Sequence, residues 1–96
     1  MKNLFDIKGK VIVITGGCGI LGKNIANYLA EQGAKIVVLD RAAEIGKELE
    51  AELNQKSEAL FLVTDVLNKE VLEENKKAIL ERFGTIDVLP VSYTHL

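Results

Sequence analysis

The sequence has little of several residue types that mark particular protein classes. It contains one cysteine, one proline, one histidine and no tryptophan. The single cysteine, Cys18, cannot form a disulfide within the chain, and no histidine lies near it in sequence to complete a zinc site. These absences exclude a disulfide-rich secreted scaffold, so we expect a reducing, cytoplasmic location.

An excess of one charge and long apolar runs are also missing. The 12 Lys and Arg residues are mixed with 14 Asp and Glu residues, which gives a net charge of -2. This balance provides no basic surface for nucleic acid or for an anionic membrane. No apolar stretch approaches the roughly 20 residues of a membrane helix, and the first residues lack the apolar run of a signal peptide. We therefore expect neither nucleic acid nor a membrane among the partners.

The chain alternates between short β-branched apolar runs and longer segments with helical periodicity. The apolar runs are residues 11–15, 35–39 and 59–63, with a fourth beginning at 86–89. Between them, apolar residues recur every three or four positions, as on one face of a helix. Strands that alternate with helices of this length predict an α/β fold, a doubly wound parallel sheet of the Rossmann type. We expect this sheet to be truncated after its fourth strand.

Capping residues indicate where two of these helices begin and end. Gly33 is well placed to end the helix that begins at Ile20. The third helix is expected from Asn68, which would cap its N-terminus, to Phe83, and Gly84 would stop it.

A glycine-rich turn joins the first predicted strand to the first predicted helix. It reads Thr-Gly-Gly-Cys-Gly-Ile-Leu-Gly over residues 15–22, and Gly17, Gly19 and Gly22 have the G-x-G-x-x-G spacing. Such a turn lets the backbone approach a pyrophosphate, and the helix N-terminus offers free N–H groups and a partial positive charge. In its strand–turn–helix context the motif predicts a dinucleotide site, although a glycine-rich turn without a ligand is the alternative. The candidate contact residues here are Gly16, Cys18, Gly19, Ile20 and Leu21.

Asp40 stands at the end of the second predicted strand. An acid at this position in a dinucleotide-binding fold accepts hydrogen bonds from the adenosine ribose hydroxyls and disfavours the extra phosphate of NADP. Arg41 follows it and could instead meet that phosphate. We predict NAD as the cofactor in preference to NADP, and the alternative for Asp40 is a cap of the next helix.

From about residue 4 to residue 89 the chain resembles the short-chain dehydrogenase/reductase family. The resemblance includes Phe-Asp-Ile-Lys-Gly-Lys at 5–10 before the first strand, Asp65-Val66 after the third, and Gly-Thr-Ile-Asp-Val-Leu at 84–89. It implies that Asp65 binds the adenine amino group, that the Val66 backbone supports the ring, and that a small-molecule alcohol or ketone is the substrate. The alternative for Asp65 is a cap of the following turn. The resemblance also implies a homo-oligomeric parent, a tetramer.

The glycine motif departs from the commonest pattern of this family, which would place a glycine at position 20. This chain has Ile20 and carries the glycine at position 19. The variant resembles a subgroup that includes D-mannonate oxidoreductase (fructuronate reductase), which implies a sugar acid as substrate. Cys18 is interpreted as a small residue tolerated near phosphate.

The last residues also depart from the family, which continues its fourth strand into Asn-Asn-Ala-Gly or Asn-Ala-Ala-Gly. Here Pro90 follows, and proline lacks the N–H that a central strand uses. We therefore expect residues 1–89 to be the N-terminal part of an NAD(P)-binding domain and residues 90–96 to be a non-native tail.

The family's catalytic Asn, Ser and Tyr-x-x-x-Lys are missing from the sequence. Ser92, Tyr93 and His95 are not expected to replace them, because no lysine follows Tyr93 at the required spacing. The 96-residue chain should therefore be inactive and bind the cofactor at most, whereas its parent would be an enzyme. A non-catalytic nucleotide-binding module and a family member acting on another substrate, such as a 3-oxoacyl thioester, stay open as alternatives.

Overall fold

The computed structural model describes residues 8–16, 19–65 and 67–92, without the side chains of Leu21 and of residues 88–92. The elements in chain order are β1 (Val11–Thr15), α1 (Ile20–Glu31), β2 (Lys35–Asp40), α2 (Ala43–Asn54), β3 (Ala59–Val63), α3 (Lys69–Phe83) and β4 (Val88–Ser92). The four strands form one parallel sheet in the order β3-β2-β1-β4. The predicted α/β Rossmann-type fold is confirmed.

Alternation along the strands produces two apolar layers, one on each face of the sheet. Ile12, Ile14, Ile36 and Val38 face α1 and α2, where they join a buried cluster that includes Leu49 and Leu53. Val11, Val13, Val37 and Leu39 face the opposite side, where Ile79 of α3 packs on them. Strands buried on both faces account for the continuous apolar runs of the sequence.

The structure confirms the predicted cap at the start of α3 and the predicted glycines after the ends of α1 and α3. The Asn68 side chain accepts hydrogen bonds from the N–H groups of Glu70 and Val71. Gly33 and Gly84 have φ values of 91° and 81°, in the left-handed region that glycine enters without strain.

Strand β4 differs from the sequence expectation, because it includes Pro90 and runs to Ser92. The β1–β4 register pairs Ile12 with Val88 but Ile14 with Val91, so β4 gains one residue in a bulge at this point. A bulge leaves a residue outside the ladder, which removes the objection to a proline without an N–H. Strand β4 also lies at one side of the described sheet and needs a partner on one flank only.

Candidate functional site

The carboxyl ends of the parallel strands place the predicted site residues along one edge of the sheet. Backbone hydrogen bonds hold neighbouring strand ends together. The Gly16 N–H donates to the Leu39 carbonyl at 2.9 Å, and the Thr64 N–H donates to the Asp40 carbonyl at 2.8 Å. The turn after β1, Asp40 and Asp65 therefore follow one another across three adjacent strands, which is where open α/β sheets bind ligands.

The glycine-rich turn passes directly from β1 into α1. Gly16 has a φ of 70°, a conformation that a side chain would strain, whereas Gly19 has a φ of -74° and is the N-cap residue of α1. Lys23 N–H donates to the Gly19 carbonyl at 2.9 Å and closes the first turn of the helix. The backbone conformation of the turn therefore explains the glycine at position 16, but it does not explain the glycine at position 19.

The N-terminus of α1 differs from that of α3. Asn68 and Glu70 provide α3 with a side-chain cap and a negative charge in its first turn. Among the described residues, α1 has no side-chain cap and no acid in its first turn. The partial positive charge at the start of α1 is therefore not offset by a carboxylate in its first turn, which suits a site for an anion such as a pyrophosphate.

Ile20 begins α1, and its side chain is 81% exposed at this edge. The other residues predicted around the turn are only partly described. Leu21 lies in the first turn of α1, but its side chain is outside the described set, and Cys18 lies outside the described residues altogether.

Asp40 is half-buried as the last residue of β2, and Arg41 beside it is exposed. Asp40 Oδ1 accepts a hydrogen bond from the Ala42 N–H at 3.1 Å. The N-cap residue of α2 is Ala42, so the alternative interpretation of Asp40 as that cap is wrong by two residues. Its carboxylate instead stabilises the turn that precedes the helix.

Asp65 is exposed at the end of β3. Its Oδ1 accepts a hydrogen bond from the Leu67 N–H at 3.0 Å, so the carboxylate does cap the following turn. The Asn68 N–H donates to the Asp65 carbonyl at 2.9 Å, which links this turn to the start of α3. A carboxylate has a second oxygen for a ligand, so the cap and a cofactor role are compatible. Val66 lies outside the described residues.

Sequence reasoning missed a buried polar pair directly beneath Asp65. Asn75 of α3 donates through Nδ2 to Thr64 Oγ1 at 2.6 Å. In sequence, the apolar stripe of α3 consists of Val71, Leu72, Ala78, Ile79 and Phe83, yet the buried positions of this helix are Asn75 and Ile79. The signal in the sequence was the spacing of Asn75, which lies three residues after Leu72 and four before Ile79 and so shares their face of the helix.

The structure does not test the last segment, in which the sequence predicts no catalytic residue. Tyr93 and His95 lie outside the described residues, and the Ser92 side chain is not described. Within the described ranges, no group of three His, Cys, Asp or Glu side chains is arranged to hold a metal ion. No helix in that same part of the chain is long and apolar enough to cross a membrane.

Comparisons with known proteins agree with this geometry. An oxidoreductase named UxuB from Bacillus subtilis (strain 168), itself uncharacterized, is 39% identical over 85 residues, covering 88% of this chain and 31% of the relative. The structure of NAD+-bound xylitol dehydrogenase matches with a TM-score of 0.81 and 34% identity, over 85% of this chain and 32% of that one.

A third match is the NAD-bound structure of a protein assigned as a D-mannonate oxidoreductase from Haemophilus influenza. It has a TM-score of 0.81 and 33% identity, over 90% of this chain and 32% of that one. The chain spans about a third of the length of these relatives. The family model described as short chain dehydrogenase matches residues 10–92. Because this match covers most of the sequence, the chain belongs to the short-chain dehydrogenase family.

Proposed function

We propose that the chain forms the cofactor-binding part of an NAD(H)-dependent oxidoreductase that interconverts an alcohol and a ketone. The observation that carries this proposal is the edge of the sheet, where an uncapped helix N-terminus, Asp40 and Asp65 stand at the carboxyl ends of three adjacent strands. Two NAD-bound structures that share this part of the fold support it.

NAD would accept or deliver the hydride, and the residues of this chain would hold it in place. The first N–H groups of α1 would donate to the pyrophosphate. Asp40 would accept hydrogen bonds from the adenosine ribose hydroxyls, and Asp65 would accept one from the adenine amino group. Ile20, Leu21 and the backbone of Gly16, Cys18, Gly19 and Val66 would complete the contact surface.

Glycine at position 19 fits this assignment, because nothing in the described part of the chain requires it there. A Cβ built on Gly19 would meet the Gly16 carbonyl oxygen at 3.8 Å, an ordinary van der Waals contact, and the φ of -74° suits any residue. A side chain would, however, occupy the space in front of the α1 N-terminus that a pyrophosphate needs.

A pair of glycine variants tests the proposal in the complete protein. Gly19→Ala should cost about 1 kcal/mol or less of stability as an N-cap change, while NADH binding weakens at least about ten-fold. Gly16→Ala, with its φ of 70°, should instead lower stability by about 1–2 kcal/mol. Thermal unfolding and titration of NADH fluorescence measure both quantities. NADH affinity that is unchanged in folded Gly19→Ala would show that the α1 N-terminus does not bind the cofactor.

We further propose that the substrate is a polyol or a sugar acid such as mannonate or fructuronate. The support is the likeness to the xylitol dehydrogenase and to the protein assigned as a D-mannonate oxidoreductase. Assays of the complete protein with NAD and sugar acids, polyols or 3-hydroxyacyl thioesters distinguish the candidates. Turnover of the thioester alone would contradict the sugar-acid assignment, and cofactor binding without any turnover would favour a binding module.

We also propose that proton transfer and oligomer formation depend on the roughly two thirds of the relatives' length that this chain does not cover. The 96-residue chain alone should then bind cofactor without turnover, while residues 90–96 contribute nothing to binding. The complete protein should be a homotetramer, which light scattering after size-exclusion chromatography measures.

A further inference from the structure

A buried amide–hydroxyl pair joins α3 to the end of β3. Asn75 and Thr64 are 8% and 1% exposed, and they are the two polar side chains in buried positions within the described residues. Asn75 Nδ2 donates to Thr64 Oγ1 over a short distance of 2.6 Å.

Packing alone would favour an apolar residue at position 75. Leu72 and Ile79 lie on the same face of α3 and pack against the apolar layer of the sheet. A leucine between them would bury more apolar surface than the amide does, and a buried amide is tolerated only when it is hydrogen-bonded. The contribution that is specific to Asn75 is therefore its bond to Thr64.

Thr64 is held from three directions. Its N–H donates to the Asp40 carbonyl at 2.8 Å, its hydroxyl donates to the Leu62 carbonyl at 3.0 Å, and the same oxygen accepts from Asn75. Since Asp65 follows directly, these bonds fix the point and direction in which the chain leaves the sheet.

The contacts of Asp65 leave one side of its carboxylate available. Oδ1 accepts from the Leu67 N–H, and Oδ2 has no hydrogen bond within the part of the chain that the structure describes. The residue is exposed, so its orientation depends on the fixed backbone before it and on the turn after it.

We propose that Asn75 and Thr64 are positioning residues, which align the Asp65 carboxylate with the adenine amino group of the cofactor. This inference rests on the proposed function, in which Asp65 binds adenine. The pair acts through the backbone of Asp65 and does not touch the cofactor.

Nicotinamide hypoxanthine dinucleotide is a probe that isolates this contact. It carries a carbonyl oxygen where NAD carries the adenine amino group, so a carboxylate attracts NAD and repels the analogue. The ratio of the two dissociation constants reports the alignment of Asp65, and a general loss of stability weakens both ligands alike.

The variants separate positioning from stability. Thr64→Val alone leaves the buried Asn75 amide without the hydroxyl to which it donates, and Asn75→Leu alone leaves the Thr64 hydroxyl with only its bond to the Leu62 carbonyl, so each should lower the melting temperature. The double variant Thr64→Val/Asn75→Leu replaces both partners with apolar groups of similar shape, which should restore much of that stability. Thr64→Ser keeps the hydroxyl and is the matched conservative control.

In the complete wild-type protein we expect a preference for NAD over the analogue of about ten-fold, the size of one charge-assisted hydrogen bond. In the double variant the preference should fall to about two-fold or less, and KM for NAD should rise about five-fold with kcat nearly unchanged. Thr64→Ser should behave like the wild type.

Two results overturn the inference, and a third contradicts the proposed function on which it rests. A double variant with a wild-type melting temperature and an unchanged preference would show that the pair only stabilises the fold. A wild-type protein that binds NAD and the analogue equally would contradict the role of Asp65, and one that binds neither would contradict the proposed function itself.

Discussion

Gly46 is the fourth residue of α2, buried against the ring of Phe61 on β3. A Cβ built there would lie 2.1 Å from two atoms of that ring, so the helix and the strand approach more closely than alanine allows. Glycine costs about 1 kcal/mol relative to alanine inside a helix, but overpacking typically costs about 1–3 kcal/mol. We expect Gly46→Ala to lower the free energy of unfolding, measured by urea denaturation.

A second substitution checks the cause. Phe61→Leu removes ring atoms next to position 46, so Gly46→Ala should be less damaging in that background than in the wild type. The difference between the two backgrounds measures the contact between the residues. An increase in stability for the single Gly46→Ala variant would show that helix propensity outweighs the contact.

Individual residues also show where sequence reasoning stops. Apolar residues recur every four positions at Ile45, Leu49 and Leu53 of α2, a pattern that predicts one buried face, and Leu49 and Leu53 are buried. The same pattern included Ile45, which is 41% exposed, and gave no reason for Gly46. A repeat identifies the face of a helix, but the distance to the neighbouring strand depends on which side chain lies opposite, and that is a tertiary property.

Among the elements, β3 has an outer edge that α2 covers. The Phe61 N–H donates to Glu50 Oε2 at 2.6 Å, and the Ala59 N–H and carbonyl both bond to the Asn54 amide, at 2.9 and 3.2 Å. These side chains occupy backbone groups that would otherwise be available to another strand. Glu50→Ala/Asn54→Ala should destabilise the protein by about 1–3 kcal/mol and increase its aggregation on warming.

Glu48→Ala is the matched control, because Glu48 is an exposed acid on the same helix. It changes the charge of α2 without reaching β3. Urea denaturation and light scattering during heating compare the variants. Equal aggregation of the control and the double variant would mean that charge, rather than the covered edge, keeps the protein soluble.

The order of the elements was predictable from the sequence, whereas these edge contacts were not. Apolar runs and helical repeats are local features of the sequence. They predict the order of the elements from β1 to α3. Capping by Glu50 and Asn54 depends on β3 lying at the side of the sheet, which follows only from the order β3-β2-β1-β4. The bulge beside Pro90 likewise depends on which strand β4 pairs with.

At the scale of the whole molecule, the parallel sheet places polar and glycine residues that are far apart in sequence along one edge. Gly16, Asp40 and Asp65 could be predicted as a set because each follows an apolar run, and parallel strands end together. Asn75 could not, since its contribution depends on α3 crossing back beneath the end of β3. The sequence therefore indicates the edge that we propose to face the cofactor more completely than the residues that support this edge.

Cofactor choice is the property of the complete protein that this edge should determine. Asp40 ends β2 with a carboxylate that would meet the ribose hydroxyls of NAD and repel the 2′-phosphate of NADP. Repulsion between unit charges at 4 Å amounts to about 1 kcal/mol in water and about 4 kcal/mol at an effective dielectric of 20. Asp40→Ser should therefore shift the ratio of kcat/KM for NADPH to that for NADH toward NADPH, by roughly five-fold to several-hundred-fold.

Arg41 provides the control for this shift. It is exposed beside Asp40, so in the Asp40→Ser background its guanidinium could pair with the 2′-phosphate. Adding Arg41→Ala should then remove part of the gain with NADPH and leave the rate with NADH nearly unchanged. Steady-state kinetics with both cofactors measure the ratio. If wild-type protein already uses NADPH better than NADH, Arg41 rather than Asp40 decides the choice, and the preference for NAD proposed from the end of β2 is wrong.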